Sequence, residues 1–203
     1  MKYFILIFLV STLILNWSDV SWLFNYKAVF GLASDFLESK IIAKTSEIFG
    51  KKELSALPKD FESADKENSL EIPKLLILAP LVFPESETKK NISYALNRGV
   101  VYFPFSALPG EAGETVILGH SAPPNWPKIR YDGIFTRISE LNAGDEIFVY
   151  FNHRKYAYYV SQKFFLDRGE EVPKLLTNSD NVLVLISCWP PGKDQRRIAV
   201  VAN

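Results

Sequence analysis

Sulfur and imidazole are scarce in this sequence, which holds one Cys, one Met and two His among 203 residues. A single Cys excludes an internal disulfide framework, a four-Cys zinc site and a cysteine-held iron–sulfur cluster. Two His and one Cys also leave few nitrogen or sulfur ligands for zinc. Net charge is missing too: 23 Lys and Arg balance 23 Asp and Glu. That balance argues against a protein held on nucleic acid by a basic surface. There is no internal repeat and no phosphate-binding glycine loop. Apolar residues are plentiful, at 48%. That is ample for a packed core and too much for a mainly disordered chain. The length suits one ordinary domain with an appendage, or two very small domains. Cys188 is left as an inert core thiol, an intermolecular linker or a reactive group.

Charge is absent from Tyr3 through Ser18, sixteen residues rich in Ile, Leu, Phe and Val. As a helix they reach roughly 24 Å, short of a ~30 Å hydrocarbon core. Continuing past Asp19 through Trp22, Phe24 and Tyr26 supplies the length. Trp17, Trp22 and Tyr26 then resemble an aromatic belt, and Lys2 with the amino terminus marks the inside. Residues 1–26 are therefore read as a cytoplasmic tip and a transmembrane signal-anchor. A cleaved signal peptide is the runner-up, but Leu15-Asn16-Trp17-Ser18 lacks the small residues of a cleavage site. A buried soluble helix is the third reading. Either membrane reading makes the rest of the chain extracytoplasmic, and the anchor makes it a single-pass membrane protein.

Residues 27–69 read as a spacer. Val29, Leu32, Ala33, Phe36, Leu37, Ile41 and Ile48 recur at loosely helical spacing, which suggests an amphipathic helix. From Lys51 to Ser69, nine of nineteen residues are charged, with no apolar rhythm. That is the composition of a solvated linker.

Residues 70–203 read as one β-rich domain. Strand-like runs cover Leu75 to Val82, Gly99 to Phe103, Thr115 to Gly119, Glu146 to Phe151, Tyr156 to Gln162, Val182 to Cys188 and Arg197 to Ala202. Asn152-His153 lies between two of them, as in a hairpin, which makes His153 an exposed turn residue. One short helix is expected around Gly133 to Leu141. About eight short strands suggest a closed barrel or a sandwich, and periodicity does not choose between them.

Three polar residues stand where core strands meet loops. Cys188 ends the apolar run Val182-Leu-Val-Leu-Ile-Ser-Cys188, and Trp189-Pro190-Pro191-Gly192 turns the chain. His120 ends Thr115-Val-Ile-Leu-Gly-His120. Arg197 opens the last strand. If they converge on one rim, imidazolium and guanidinium favour a reactive thiolate. His can donate a proton to a leaving amine, and Arg can hold a developing oxyanion. Each also has a plain structural reading: a small buried hydrophobe, a turn-bonding His and a solvated strand start.

These residues resemble the sortase family. Leu70-Glu-Ile-Pro-Lys74 looks like its opening strand, and Leu108 through Ser121 like the segment that ends at its catalytic His. Phe135, Leu141 and Gly144-Asp145 match an "F..L..L..GD" stretch, with Ile138 in place of one Leu. Val184-Leu-Ile-Ser-Cys188 resembles the "TLxTC" strand, with Ser187 for Thr. Arg197-Ile-Ala-Val-Val-Ala202 resembles the closing Arg-bearing strand. The resemblance covers residues 70–203.

The resemblance implies a mainly β fold, an eight-stranded sortase-type β-barrel with short helices, preceded here by the transmembrane helix. It implies a cysteine transpeptidase with Cys188 as nucleophile, His120 as general acid/base and Arg197 holding the carbonyl. Arg196 is the alternative for that last role; Arg197 is preferred because it lies nine residues after Cys188, a common family spacing. Ser187, Ser121 and Trp189 flank the site as substrate-binding candidates. Pro123 through Pro127 forms a rigid loop after His120, and Asp167 to Leu176 corresponds to the loop that sets specificity. The implied substrate is a secreted protein with a C-terminal, LPxTG-like sorting signal. The implied acceptor is an amine on a cell-wall precursor or a pilin Lys. No cofactor is implied, and scattered Asp and Glu assign no calcium site. A hydrolytic relative and a degenerate, membrane-anchored binding barrel are the other readings.

Overall fold

Residues 2–16, 68–173 and 180–203 are described by a computed structural model. The chain divides into two units: residues 1–53 with 124–129, and residues 54–123 with 130–203.

In the first unit, α1 (Lys2–Leu15) is a 14-residue helix. Its side chains are apolar nearly all round. Its polar groups turn back on the backbone: Thr12 Oγ donates to the Phe8 carbonyl at 2.8 Å, and Asn16 Nδ2 to the Thr12 carbonyl at 2.8 Å. At ~1.5 Å per residue α1 spans about 21 Å, less than a hydrocarbon core. Among the described residues no helix is long and apolar enough to cross a membrane. Of the spanning helix expected over residues 1–26, α1 is the part that falls within the described residues. Residues 17–26 lie outside the described residues, as do the expected amphipathic helix and the linker through residue 67.

The second unit is a closed barrel of β1 (Ser69–Ile72), β2 (Ile77–Val82), β3 (Val100–Tyr102), β4 (Gly113–Leu118), β5 (Glu146–Phe151), β6 (Arg154–Asp167), β7 (Asn181–Trp189) and β8 (Arg196–Ala202). Round the barrel the order is β1-β2-β3-β4-β7-β8-β6-β5, and β1 closes on β5. Only β2–β3 and β4–β7 pair in parallel among these strands. The open choice between barrel and sandwich is thereby settled as a barrel.

Alternation along the strands builds two apolar layers. Leu183 and Leu185 of β7 point inward with Ile117, Ile198 and Val200, all essentially unexposed. Val182 and Val184 point outward and pack with Ala199, Val201, Leu166 and Val172. This is why the β7 run is apolar at successive positions: both of its faces are covered.

β6 takes part in both layers. It pairs with β5 through Tyr159 and with β8 from Val160 onward. A register shift between Val160 and Gln162 marks a bulge, which reverses which side chains face inward. Before it Tyr158 and Val160 fill the interior; after it Phe164 and Leu166 join the outer layer. The expected strand stopped at Gln162 because the alternation breaks there.

The expected hairpin forms at Asn152-His153, whose φ values of 50° and 59° are both left-handed. Two such residues make the primed turn that two-residue hairpins favour. His153 is exposed there. The helix expected around Gly133 to Leu141 is corrected: only a 3₁₀ turn, Ile138–Glu140, forms in a run of turns. Phe135, Ile138 and Leu141 are nonetheless fully buried, so their spacing reflects a core-covering turn. The helix after the second strand is α2 (Lys89–Leu96), capped by Thr88 Oγ accepting from the Asn91 N–H. It buries Ala95 and half-buries Ile92 and Leu96, a one-turn apolar stripe at helical spacing.

Candidate active site

β4 and β7 run parallel, with Leu118 opposite Ile186. Beyond that pair β4 ends, while β7 runs on beside it through Trp189. Gly119 N–H donates to the Ile186 carbonyl at 3.1 Å. Ser187 Oγ donates to the Gly119 carbonyl at 2.8 Å, and Ser121 Oγ to the Cys188 carbonyl at 2.9 Å. His120 is thus held between two residues that are each tied to the end of β7. Its own carbonyl accepts from the Phe135 N–H at 2.8 Å. Across the next pair, Cys188 lies directly opposite Arg197.

The glycine before His120 is required by packing. A Cβ on Gly119 would lie 2.3 Å from the Phe135 ring. Gly119→Ala is expected to destabilise the fold by about 1–3 kcal/mol, the usual range for overpacking. Urea unfolding measures it; an unchanged midpoint would mean that Phe135 yields freely. A second close approach joins the loops after β4 and β7, where a Cβ on Gly192 would lie 2.4 Å from Pro123.

Cys188 and Arg197 share the outward parity of Val184, Ala199 and Val201. The thiol therefore stands at the end of the outer apolar layer, outside the barrel interior. Cys188 is half-buried. Arg197 Nη2 pairs with Asp194 Oδ1 at 2.6 Å, and its Nη1 donates to the Arg196 carbonyl at 2.9 Å. Asp194 Oδ1 is also 3.9 Å from Cys188 Sγ. Its Oδ2 pairs with Arg168 Nη2 at 3.2 Å. Burial raises the Cys188 pKa above the ordinary thiol value; Arg197 opposes this and Asp194 adds to it. The hydrogen bond from Arg197 is the main reason the Asp194 carboxyl is lowered.

The remaining sequence candidates separate. Ser187 is buried and faces inward, with its hydroxyl on Gly119. Ser121 fastens the strand end and accepts from the Gly192 N–H at 3.5 Å. Trp189 packs on the interior core, with its ring centroid 5.1 Å from that of Phe165. Arg196 is drawn along β6, to Asp167 Oδ1 at 2.9 Å and the Phe165 carbonyl at 2.7 Å. Residues 167–173 of the expected specificity loop are described, and 174–176 lie outside the described residues. Asp194 and Arg168 were not anticipated. In Gly192-Lys-Asp-Gln-Arg-Arg197, a carboxylate among cations has the look of a solvated turn. Among the described residues no group of His, Cys, Asp or Glu is placed to hold a metal ion.

The Gly-Asp pair of the expected motif has a structural role. Asp145 accepts from Lys74 Nζ at 2.7 Å and from the Asn142 N–H at 2.6 Å. The Lys74 bond is the main cause that lowers its carboxyl pKa. Its flanking backbone locks onto β6: Gly144 N–H donates to the Val160 carbonyl at 2.8 Å, and Val160 N–H to the Asp145 carbonyl at 2.9 Å.

Comparison with known proteins bears on the whole barrel. The Sortase domain family model matches residues 70–203. Sortase D of Bacillus subtilis (strain 168) is 26% identical over 129 residues, 64% of this chain and 57% of that protein. The chain thus spans little more than half the length of that relative. Among solved structures, sortase C1 from Streptococcus suis superposes with a TM-score of 0.54 at 22% identity, covering 67% of this chain and 70% of its own. Streptococcus pneumoniae Sortase C gives 0.55 at 21% identity, over 74% and 73%. Sortase A from Corynebacterium diphtheriae gives 0.53 at 24% identity, over 66% and 58%. These likenesses establish a shared fold.

Proposed function

The chain belongs to the sortase family, and from that premise we propose that it is a cysteine transpeptidase acting through Cys188, His120 and Arg197. The observation that carries the reading is the pairing of Cys188 with Arg197 across β7–β8, beside the tether that holds His120. His120 takes the Cys188 S–H proton, and the resulting thiolate Sγ attacks the scissile carbonyl carbon and forms a C–S bond. Arg197 hydrogen-bonds the oxygen as it becomes negative. The C–N bond then breaks, and the His120 imidazolium gives its proton to the leaving amine. A thioacyl enzyme remains. An incoming amine attacks it, neutral His120 takes the amine proton, an amide forms and the thiolate leaves.

The substrate in this reading is a secreted protein with a C-terminal, LPxTG-like sorting signal. The acceptor is an amine on a cell-wall precursor or a pilin Lys. The Streptococcus pneumoniae Sortase C is described by its pilin substrate specificity, and a protein substrate of that kind is what we propose. Residues 1–26 serve as the membrane signal-anchor, with the barrel on the extracytoplasmic side. The apolar run from Tyr3 supports this, with α1 as its first 14 helical residues.

Incubating the full chain with a library of sorting-signal peptides is expected to give a thioacyl mass adduct on Cys188. Added hydroxylamine is expected to convert it to a hydroxamate. Only free acid in the presence of the amine would make it a hydrolase. No adduct from the folded chain would favour a binding barrel.

A further inference from the structure

Asp194 touches three groups that reach it from different elements. Its Oδ1 meets Arg197, at the start of β8, at 2.6 Å, and Cys188, near the end of β7, at 3.9 Å. Its Oδ2 meets Arg168, the residue after β6, at 3.2 Å. Arg197 is therefore engaged on both terminal nitrogens, by Asp194 and by the Arg196 carbonyl. Each terminal nitrogen keeps a second N–H that can hold a substrate carbonyl, and a fork that turns to present it moves off one of these partners. The Asp194 contact is the one with an alternative, because its carboxylate already has a second cation.

We propose that Asp194 is a positioning residue: its carboxylate holds Arg197 and keeps Cys188 as a thiol between substrates, and Arg168 retains that carboxylate when Arg197 turns to a substrate carbonyl. The proposal rests on the roles given above to Cys188 and Arg197. Charge supports it. A carboxylate beside a thiol opposes thiolate by repulsion and by accepting the S–H, whereas Arg197 and Arg168 favour thiolate. His120 approaches from the end of β4. The other ion pair nearby, Arg196 with Asp167, is closed on itself at 2.9 Å. The same contacts link the start of the β6–β7 connection to the thiol. A substrate that rearranges Arg168 thereby alters the charge facing Cys188.

The test is the pH dependence of alkylation of the full chain by iodoacetamide. The sequence has one Cys, so the mass gain reports a single site. Asp194→Asn is expected to move the alkylation midpoint to lower pH and raise the rate at neutral pH by about threefold or more. Arg168→Gln is expected to do the reverse, because it removes a cation and leaves Asp194 less neutralised. Asp194→Glu restores the original midpoint. A loop that merely shields the thiol would loosen in both variants and shift them the same way. Shifts in the same direction, or no shift in either variant, would overturn the proposal. Iodoacetamide needs no sorting peptide, so a failed peptide library leaves this result standing, and a failed charge test leaves the transpeptidase reading standing.

Discussion

Cys188→Ala is expected to abolish the thioacyl adduct and to reduce peptide transfer by at least about a thousandfold. The sulfur is the atom that forms the covalent bond, and no other Cys in the chain can replace it. The same change is expected to leave the fold nearly intact, within about 1 kcal/mol. Among the described residues the half-buried thiol has one weak side-chain hydrogen-bond partner, Asp194 at 3.9 Å. Its strand is held by backbone pairing on both sides, to β4 and to β8. Intact mass measures the adduct, and urea unfolding measures the fold. The pair of readouts separates lost chemistry from lost structure. Transfer that survives in a folded Cys188→Ala protein would remove Cys188 from the mechanism.

The barrel was legible where packing on a face dictates sequence. The β7 run could be read as a core strand because both of its faces are covered, which leaves no polar position from Val182 through Ile186. The β5–β6 turn was legible because Asn152 suits a positive φ. Elements that depend on partners were harder. α2 has apolar residues at helical spacing only at Ile92, Ala95 and Leu96 and fully buries only Ala95, a stripe of one turn that is too short to announce a helix. β6 breaks its alternation at the bulge, so the pattern alone ends five residues before the strand does. Phe135, Ile138 and Leu141 kept helical spacing while forming turns, because one buried face can be covered by either.

The site divides along the same line. Cys188, His120 and Arg197 sit at strand ends, where a polar residue after an apolar run is conspicuous. Ser187 and Trp189 sat beside them in sequence, yet strand parity turns their side chains away from the thiol. Asp194 and Arg168 lie 26 residues apart in exposed, charged stretches. Only closure of β6, β7 and β8 onto one another brings them together. Local sequence has no signal for an ion pair made by topology.

The choice between the two adjacent arginines tests that topology directly. Arg197→Lys is expected to lower kcat by about a hundredfold, the size of loss seen when one oxyanion donor is removed. An ammonium keeps the charge but offers no planar fork, so it cannot hold the Arg196 carbonyl on one nitrogen while turning another to a substrate oxygen. Arg196→Lys is expected to leave kcat within about threefold, since its guanidinium is directed to Asp167 and the Phe165 carbonyl along β6. Its loss there is that of an exposed ion pair, worth at most about 1 kcal/mol of stability. Steady-state kinetics on the same sorting peptide compares the two. If Arg196→Lys proves the harmful change, the register of β8 against β7 is displaced by one. A one-residue slip would turn Arg197 inward and force Ile198 and Val200 into the outer layer that Ala199 and Val201 fill. Both are essentially unexposed in the barrel core, so such a slip would also have to appear as a large loss of stability. That second readout makes the register, and with it the partner of Cys188, open to test from two independent sides.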